Sequence, residues 1–172
     1  MEYITAPWRE KYVKNVFKMK GCIFCRALKL KDDRKALILH RGEHNFILLN
    51  KFPYTPGHLM IAPFLHVDSI EKTKKDSTDE LADFLKLSLG VLRKAYNPQG
   101  FNTGMNIGHS AGAGVTSHYH LHIVCRWKGD SNFMPLIGKT KVVMQDLDSS
   151  YQTLLPLFES RGTGMNVNIL KS

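Results

Sequence analysis

Cysteine is scarce in this chain. Its 172 residues contain three, Cys22, Cys25 and Cys125. Three thiols cannot build the disulfide framework on which small secreted domains depend. A chain this long needs none, because it can bury a sizeable core without covalent staples. Long apolar runs are lacking too. None reaches the roughly 20 residues of a membrane span, and Met1 opens onto no secretory-leader pattern. These absences set the expectation of a soluble, cytoplasmic protein with no membrane partner. Internal repeats and splitting linkers are also missing, so the simplest organisation is one domain over residues 1–160 with a Gly- and Asn-rich tail over 161–172. Hydrophobic residues at 43% and charged residues at 23% fit an ordinary globular protein.

Acidic residues are the minority, 15 against 24 lysines and arginines, for a formal net charge of +9. That excess attracts anions without choosing among them. The basic residues are scattered (Lys18, Lys20, Lys29, Lys31, Lys72, Lys74, Lys75 and Lys86). No basic-aromatic array marks a nucleic-acid groove, so nucleic acid is not an expected partner.

What is present reads as sheet runs interrupted by one long helix. Trp8, Tyr12, Val16 and Met19 recur at helical spacing over 8–20, after Pro7. Cys22–Cys25 then reads as a tight knuckle. Residues 36–41 and 45–50 predict an antiparallel hairpin around Gly42-Glu43, and 58–63 a third strand stopped by Pro63. The clearest helix covers 78–96, capped by Thr78 or Asp79, with Leu81, Phe84, Leu85, Ser88, Leu92 and Tyr96 on one face. Asn97-Pro98-Gln99-Gly100 ends it. Strands over 101–107 and 118–125 flank a small-residue loop at 108–117, and a last short helix falls near 146–159. This order predicts the α+β class.

His118, His120 and His122 occupy every second position. On a strand all three project to one face, while Tyr119, Leu121 and Ile123 fill the other. Three imidazoles in a row are costly in a core unless each has a partner. They suit either metal ligation or an anionic substrate. The preceding Ala111-Gly112-Ala113-Gly114 has little side-chain bulk, which lets backbone N–H groups approach a phosphate. A surface turn uses the same residues, but its place just before H-x-H-x-H favours phosphate.

Residues 118–124 (HYHLHIV) resemble the signature of the histidine-triad superfamily of nucleotidyl hydrolases and transferases. Residues 45–50 (NFILLN), 56–63 (PGHLMIAP) and His66 resemble its second and third strands. Trp8-Arg9, CIFC at 22–25, NIG at 106–108, RWKGDSNFMP at 126–135 and Thr140 resemble more narrowly its diadenosine tetraphosphate phosphorylase group. The resemblance implies a HIT-like fold: an antiparallel sheet, one long helix, short terminal helices, and a homodimer with a continuous sheet.

It also implies chemistry. The middle histidine, matched by His120, is the nucleophile that takes AMP from an adenine dinucleotide, with His118 and His122 completing the catalytic set. Amides near Ala113 and Gly114 and the side chain of His122 would hold phosphoryl charge. Transfer of AMP to inorganic phosphate yields ADP, and to water yields AMP. Asn50 matches a ribose-contacting position and Asn106 one near the phosphates, although each could simply be a turn residue. His58 stays outside the catalytic set. Family members commonly place Gln, Ser or Thr around 114–115 to bind the leaving phosphate, where this chain has Gly114 and Val115. Thr116 is the nearest replacement. The implied partners are an adenine dinucleotide and inorganic phosphate, with Mg²⁺ as a possible companion of the polyphosphate. Two other readings stay open: a hydrolase of dinucleotides or adenosine phosphoramidates, and a nucleotide-binding sensor without turnover.

Cys22 and Cys25 alone fit a redox motif, half a zinc site or two packed thiols, and the redox reading lacks a thioredoxin-like context. Some bacterial histidine-triad proteins complete a zinc site with positions matching His66 and His118. The resemblance therefore implies structural zinc at Cys22, Cys25, His66 and His118, with an empty or oxidised thiol pair as the plainer alternative. Cys125 reads as a core or free thiol.

Overall fold

The computed structural model describes residues 21–130 and 146–162. The expected helix over 8–20, the Trp8-Arg9 block, residues 131–135 of the 126–135 block, Thr140 and most of the tail lie outside these residues.

Five antiparallel strands form one sheet: β1 (Ile38–Arg41), β2 (Asn45–Leu49), β3 (Leu59–Pro63), β4 (Gly100–Met105) and β5 (Leu121–Arg126), in the order β1-β2-β3-β5-β4. The helices are α1 (Ile23–Lys29), α2 (Asp33–Ala36), α3 (Lys75–Tyr96) and α4 (Leu147–Gly162). The expected α+β architecture is the one observed. Central strands β2 and β3 are buried along their whole length, as their unbroken apolar runs require.

Alternation along those strands divides the interior into two cores. Ile47 and Leu49 of β2, Leu59 and Ile61 of β3, and Tyr119, Leu121, Ile123 and Cys125 pack with α3 and α4. Phe46, Leu48, Met60 and Ala62 face the other way and pack with Phe24 of α1, Ala36 and Ile38. Met60 is registered opposite His122. The triad histidines thus share the second face, and Tyr119, Leu121 and Ile123 anchor them from the first.

Several boundaries differ from the sequence reading. The Cys22–Cys25 knuckle is a helix start, with Cys22 as N-cap of α1. Residues 33–36 are helical, and Leu37 turns into β1 through a left-handed conformation at φ 60°. Helix α3 begins at Lys75, and Lys74 is its N-cap without a side-chain cap bond. Thr78 cannot be the cap because its hydroxyl donates to the Lys75 carbonyl inside the first turn. Asn97 ends α3 in a left-handed conformation at φ 45°, as the Asn-Pro signal requires. The predicted strand over 118–125 starts its ladder only at Leu121. β4 stops at Met105, opposite Leu121, so His118 and His120 lie beyond the pairing.

Glu80 of α3 ties that helix to the β1–β2 turn. Its carboxylate accepts from the backbone N–H of Glu43, His44 and Asn45 at 2.7, 2.9 and 2.6 Å, and from Asn45 Nδ2 at 2.8 Å. The turn glycine, Gly42, is what allows this approach: a Cβ there would lie 2.3 Å from Glu80 Oε1 and 2.5 Å from the Phe84 ring.

Candidate active site

The site forms where α1, the end of β3 and the approach to β5 meet. His118 is fully buried and its Nε2 donates to the Pro63 carbonyl at 2.9 Å. That bond places the proton on Nε2 and leaves Nδ1 with a lone pair. Nδ1 lies 3.3 Å from Cys22 Sγ, 3.8 Å from Cys25 Sγ and 3.2 Å from His66 Nδ1, and Cys25 Sγ is 3.2 Å from His66 Nδ1. All four ligand atoms fall within 4.8 Å of one another. A tetrahedral zinc with ordinary Zn–S and Zn–N bonds needs ligand separations of about 3.3–3.8 Å, so these residues fit that ion. Burial lowers His118 to about 4 against the pull of the Pro63 carbonyl, with His66 and His120 adding to the lowering. The ring is therefore neutral and able to ligate. Burial also pushes the Cys22 thiol up, which a bound cation would reverse. Among the described residues this is the one group of His, Cys, Asp and Glu side chains able to hold a metal. No carboxylate cluster suited to Mg²⁺ accompanies it there.

His120 is 5% exposed. Its Nδ1 donates to the His118 carbonyl at 3.1 Å. The hydrogen sits on Nδ1, so Nε2 carries the lone pair. Burial holds the ring below the ordinary histidine value, only partly opposed by that carbonyl. The His122 ring lies 4.6 Å from His120 between centroids, at 75°.

His58 was left out of the sequence-based set, yet it supports the third triad histidine. It is fully buried. Its Nδ1 accepts from the Tyr54 backbone N–H at 3.2 Å. The remaining proton then sits on Nε2, which donates to His122 Nδ1 at 3.0 Å. This chain sets the His122 tautomer, with hydrogen on its Nε2. The tilt of the two rings, 5.1 Å apart at 56°, accompanies the bond. Sequence offered only Pro-Gly-His at a strand start, which any turn could supply.

The other predicted residues are placed as follows. Asn50 Oδ1 accepts from the Phe52 N–H at 2.9 Å, the turn role weighed above, while Nδ2 is 3.4 Å from both His58 ring nitrogens. It therefore belongs to the His58–His122 neighbourhood. Asn106 is half-buried and lies one residue past the end of β4, next to the Met105–Leu121 pair. Ala113 is half-buried and Gly114 exposed in the loop. Positive φ occurs at Gly108 and Gly112, at 83° and 79°, and these are the positions that need glycine. Val115 packs on the second core, which explains an apolar residue where a polar one was expected. Thr116 is exposed and lines an open cleft of about 550 Å³ with His66, Val67, Asp68, Lys72 and Ser117. That lining includes none of Asn50, Asn106, His120 and His122. Cys125 is fully buried and burial raises its thiol to about 12, so it is an inert core residue.

The family model described as the HIT domain matches residues 31–129. The chain belongs to the HIT domain family. The match reaches from α2 past β5 and includes all three triad histidines, while Cys22 and Cys25 lie upstream of it. An AP-4-A phosphorylase of Mycobacterium tuberculosis is 38% identical over 123 residues, 72% of this HIT chain and 63% of the relative. The HIT chain thus spans less than two thirds of that relative's length. A histidine triad nucleotide-binding protein from Sulfolobus tokodaii superposes with a TM-score of 0.67 at 24% identity, covering 87% of this chain and all of that one. A Zn-bound histidine triad family protein from Mycobacterium smegmatis gives 0.59 at 20% identity over 88% and 94% of the two chains. Likenesses at these identities show the fold. Among the described residues of the HIT chain, no helix is long and apolar enough to cross a membrane.

Proposed function

We propose that this HIT protein is a nucleotidyltransferase that converts diadenosine tetraphosphate and phosphate to ATP and ADP. The observation that supports it best is the His120 Nδ1 bond to the His118 carbonyl, because it leaves Nε2 as the attacking nitrogen. Nε2 attacks the α-phosphorus of one adenylate. The bond from that phosphorus to the bridging oxygen breaks and ATP leaves. His122, with hydrogen on Nε2, stabilises the departing oxygen. A phosphate oxygen then attacks the adenylyl-histidine, the P–N bond breaks, and ADP forms. Water in place of phosphate gives AMP.

Asn106 and the amides around Ala113 and Gly114 would meet the phosphoryl oxygens, and Asn50 the ribose. Thr116 would need the loop to shift. Zn²⁺ at Cys22, Cys25, His66 and His118 would supply a structural staple holding α1 against the approach to β5. The protein would act as a homodimer joined through a sheet edge, and β1 and β4 are the edge strands among the described residues. A cytoplasmic location is part of the same proposal.

The test is the product profile from diadenosine tetraphosphate with and without phosphate, with mass spectrometry for AMP on His120. ATP and ADP that depend on phosphate support phosphorolysis. AMP and ATP without that dependence make the protein a hydrolase. Faster AMP release from an adenosine phosphoramidate makes that its substrate class. Val115 leaves the leaving-phosphate position without a polar side chain, which favours a sensor as the second reading. Wild-type protein that binds dinucleotide and never turns it over would establish it. Under the enzymatic reading, His120→Asn keeps binding and loses turnover.

A further inference from the structure

The loop between β2 and β3 carries Tyr54, whose ring no step above uses and which is 48% exposed. That ring stacks on the buried His58 ring, 5.0 Å between centroids at 23°. The backbone N–H of the same residue donates to His58 Nδ1 at 3.2 Å. One residue thus meets one imidazole twice, at an edge and on a face. The loop that presents it is held at three points. The Asn50 N–H donates to the His58 carbonyl at 2.9 Å and closes the loop at its base. The Thr55 hydroxyl donates to the Cys125 carbonyl of β5 at 3.1 Å. Gly57 packs so tightly on the end of α3 that a Cβ there would lie 2.6 Å from the Tyr96 ring. Strand β5 also carries His122, so the loop and the third triad histidine share one frame.

The two contacts do different work. A backbone N–H can only donate, so it requires a lone pair on His58 Nδ1 and fixes the tautomer that donates from Nε2 to His122. It restrains rotation weakly, because the last torsion of a histidine is broad and roughly two-fold. Half a turn of the His58 ring would put carbon opposite the Tyr54 N–H and carbon opposite His122 Nδ1. Asn50 does not choose between the two orientations, since its Nδ2 is 3.4 Å from both ring nitrogens. The stacked ring of Tyr54 does. An imidazole turning about its bond to Cβ would have to sweep through that flat face, and close packing tolerates little such movement.

We propose that Tyr54 is a positioning residue for His122, acting through His58. Its amide selects the His58 tautomer and its ring keeps the imidazole in the orientation that tautomer needs. His122 then holds its hydrogen on Nε2, ready for the departing oxygen. The inference rests on the reading of His122 as the group that stabilises that oxygen.

The experiment compares the full-length zinc-loaded protein with Tyr54→Phe and Tyr54→Ala. Both variants keep the backbone N–H, so the comparison isolates the ring. It reads kcat and KM on diadenosine tetraphosphate, and the ¹⁵N signals of the His58 and His122 rings without substrate. Tyr54→Ala should lower kcat about 10-fold through a misaimed His122. KM should change by less than about threefold, since uniform binding is untouched. Both rings should change from single tautomers to mixtures. Tyr54→Phe, which keeps the flat face, should restore kcat to within about twofold and return single tautomers. Tyr54→Leu, which keeps bulk without a flat face, decides the matter if Tyr54→Ala fails to fold. The proposal is overturned if both rings keep single tautomers in the variant without the flat face, or if its kcat matches wild type. It is also overturned if the whole effect falls on KM, as for a ring that stacks on a nucleobase, or if Tyr54→Phe loses as much as Tyr54→Ala. The ring spectra need no turnover. They therefore judge Tyr54 even if the wild type binds dinucleotide and never cleaves it.

Discussion

Replacing Glu80 tests whether one carboxylate joins the long helix to the sheet. It receives four hydrogen bonds from the β1–β2 turn, two of them from Asn45, which is fully buried. In Glu80→Ala the Glu43 and His44 amides can turn to water, because Glu43 is exposed and His44 half-buried. The Asn45 backbone N–H and one Nδ2 hydrogen cannot, and Nδ2 keeps only its bond to the Ser77 carbonyl. A buried donor left without a partner costs about 1–3 kcal/mol. Two such donors, with some relaxation, put the loss at about 2–4 kcal/mol. For a chain of this size that lowers Tm by about 5–15 °C.

The effect should also depend on pH. Burial alone pushes the Glu80 carboxyl up, but the Asn45 amide and the backbone N–H groups of Glu43, His44 and Asn45 outweigh it, so the net shift is downward from the ordinary carboxyl value. A group depressed by folding stabilises the protein above its ordinary value and loses that contribution as pH falls through its folded value. Urea unfolding of wild type and Glu80→Ala at pH 7 and near the acid limit of stability should therefore give a gap that narrows in acid. A gap under about 0.5 kcal/mol at pH 7, the size of an ordinary surface substitution, would refute the clamp. So would a gap that does not change with pH.

Two further outcomes follow from the site. Cys25→Ser should lose most of the bound zinc, and chelator should lower the Tm of wild type but not of the variant. At free zinc a hundredfold above Kd the metal contributes about 2.7 kcal/mol, so equal chelator responses would remove the metal from the picture. His58→Phe keeps the buried ring but removes the donor to His122 Nδ1. Its kcat should fall about 10- to 100-fold, the usual effect of losing a supporting partner, with KM little changed. An unaltered kcat would show that the His122 tautomer is set elsewhere.

The parts of the site legible in the chain were those with a short period. H-x-H-x-H implies one face because the extended backbone alternates, and it does so even where His118 and His120 precede the ladder. C-x-x-C with His66 was readable as a ligand set through family resemblance, and the four side chains do converge. His58 was not readable. Its significance is a hydrogen bond to His122, 64 residues away. The cap of α3 was misplaced because Thr78 and Asp79 have capping chemistry in any context, while Lys74 takes the position by backbone conformation alone.

Local order came from sequence: where strands run, which faces are apolar, where Asn97 must stop the long helix. Those depend on backbone sterics and alternation between neighbours along the chain. Tertiary structure decided which imidazole meets which partner. It sent the Nδ1 of His118 to the cysteines and that of His120 to a carbonyl, and set His58 behind His122. A histidine's tautomer depends on what lies within about 3 Å of each nitrogen, and no spacing along the chain determines that.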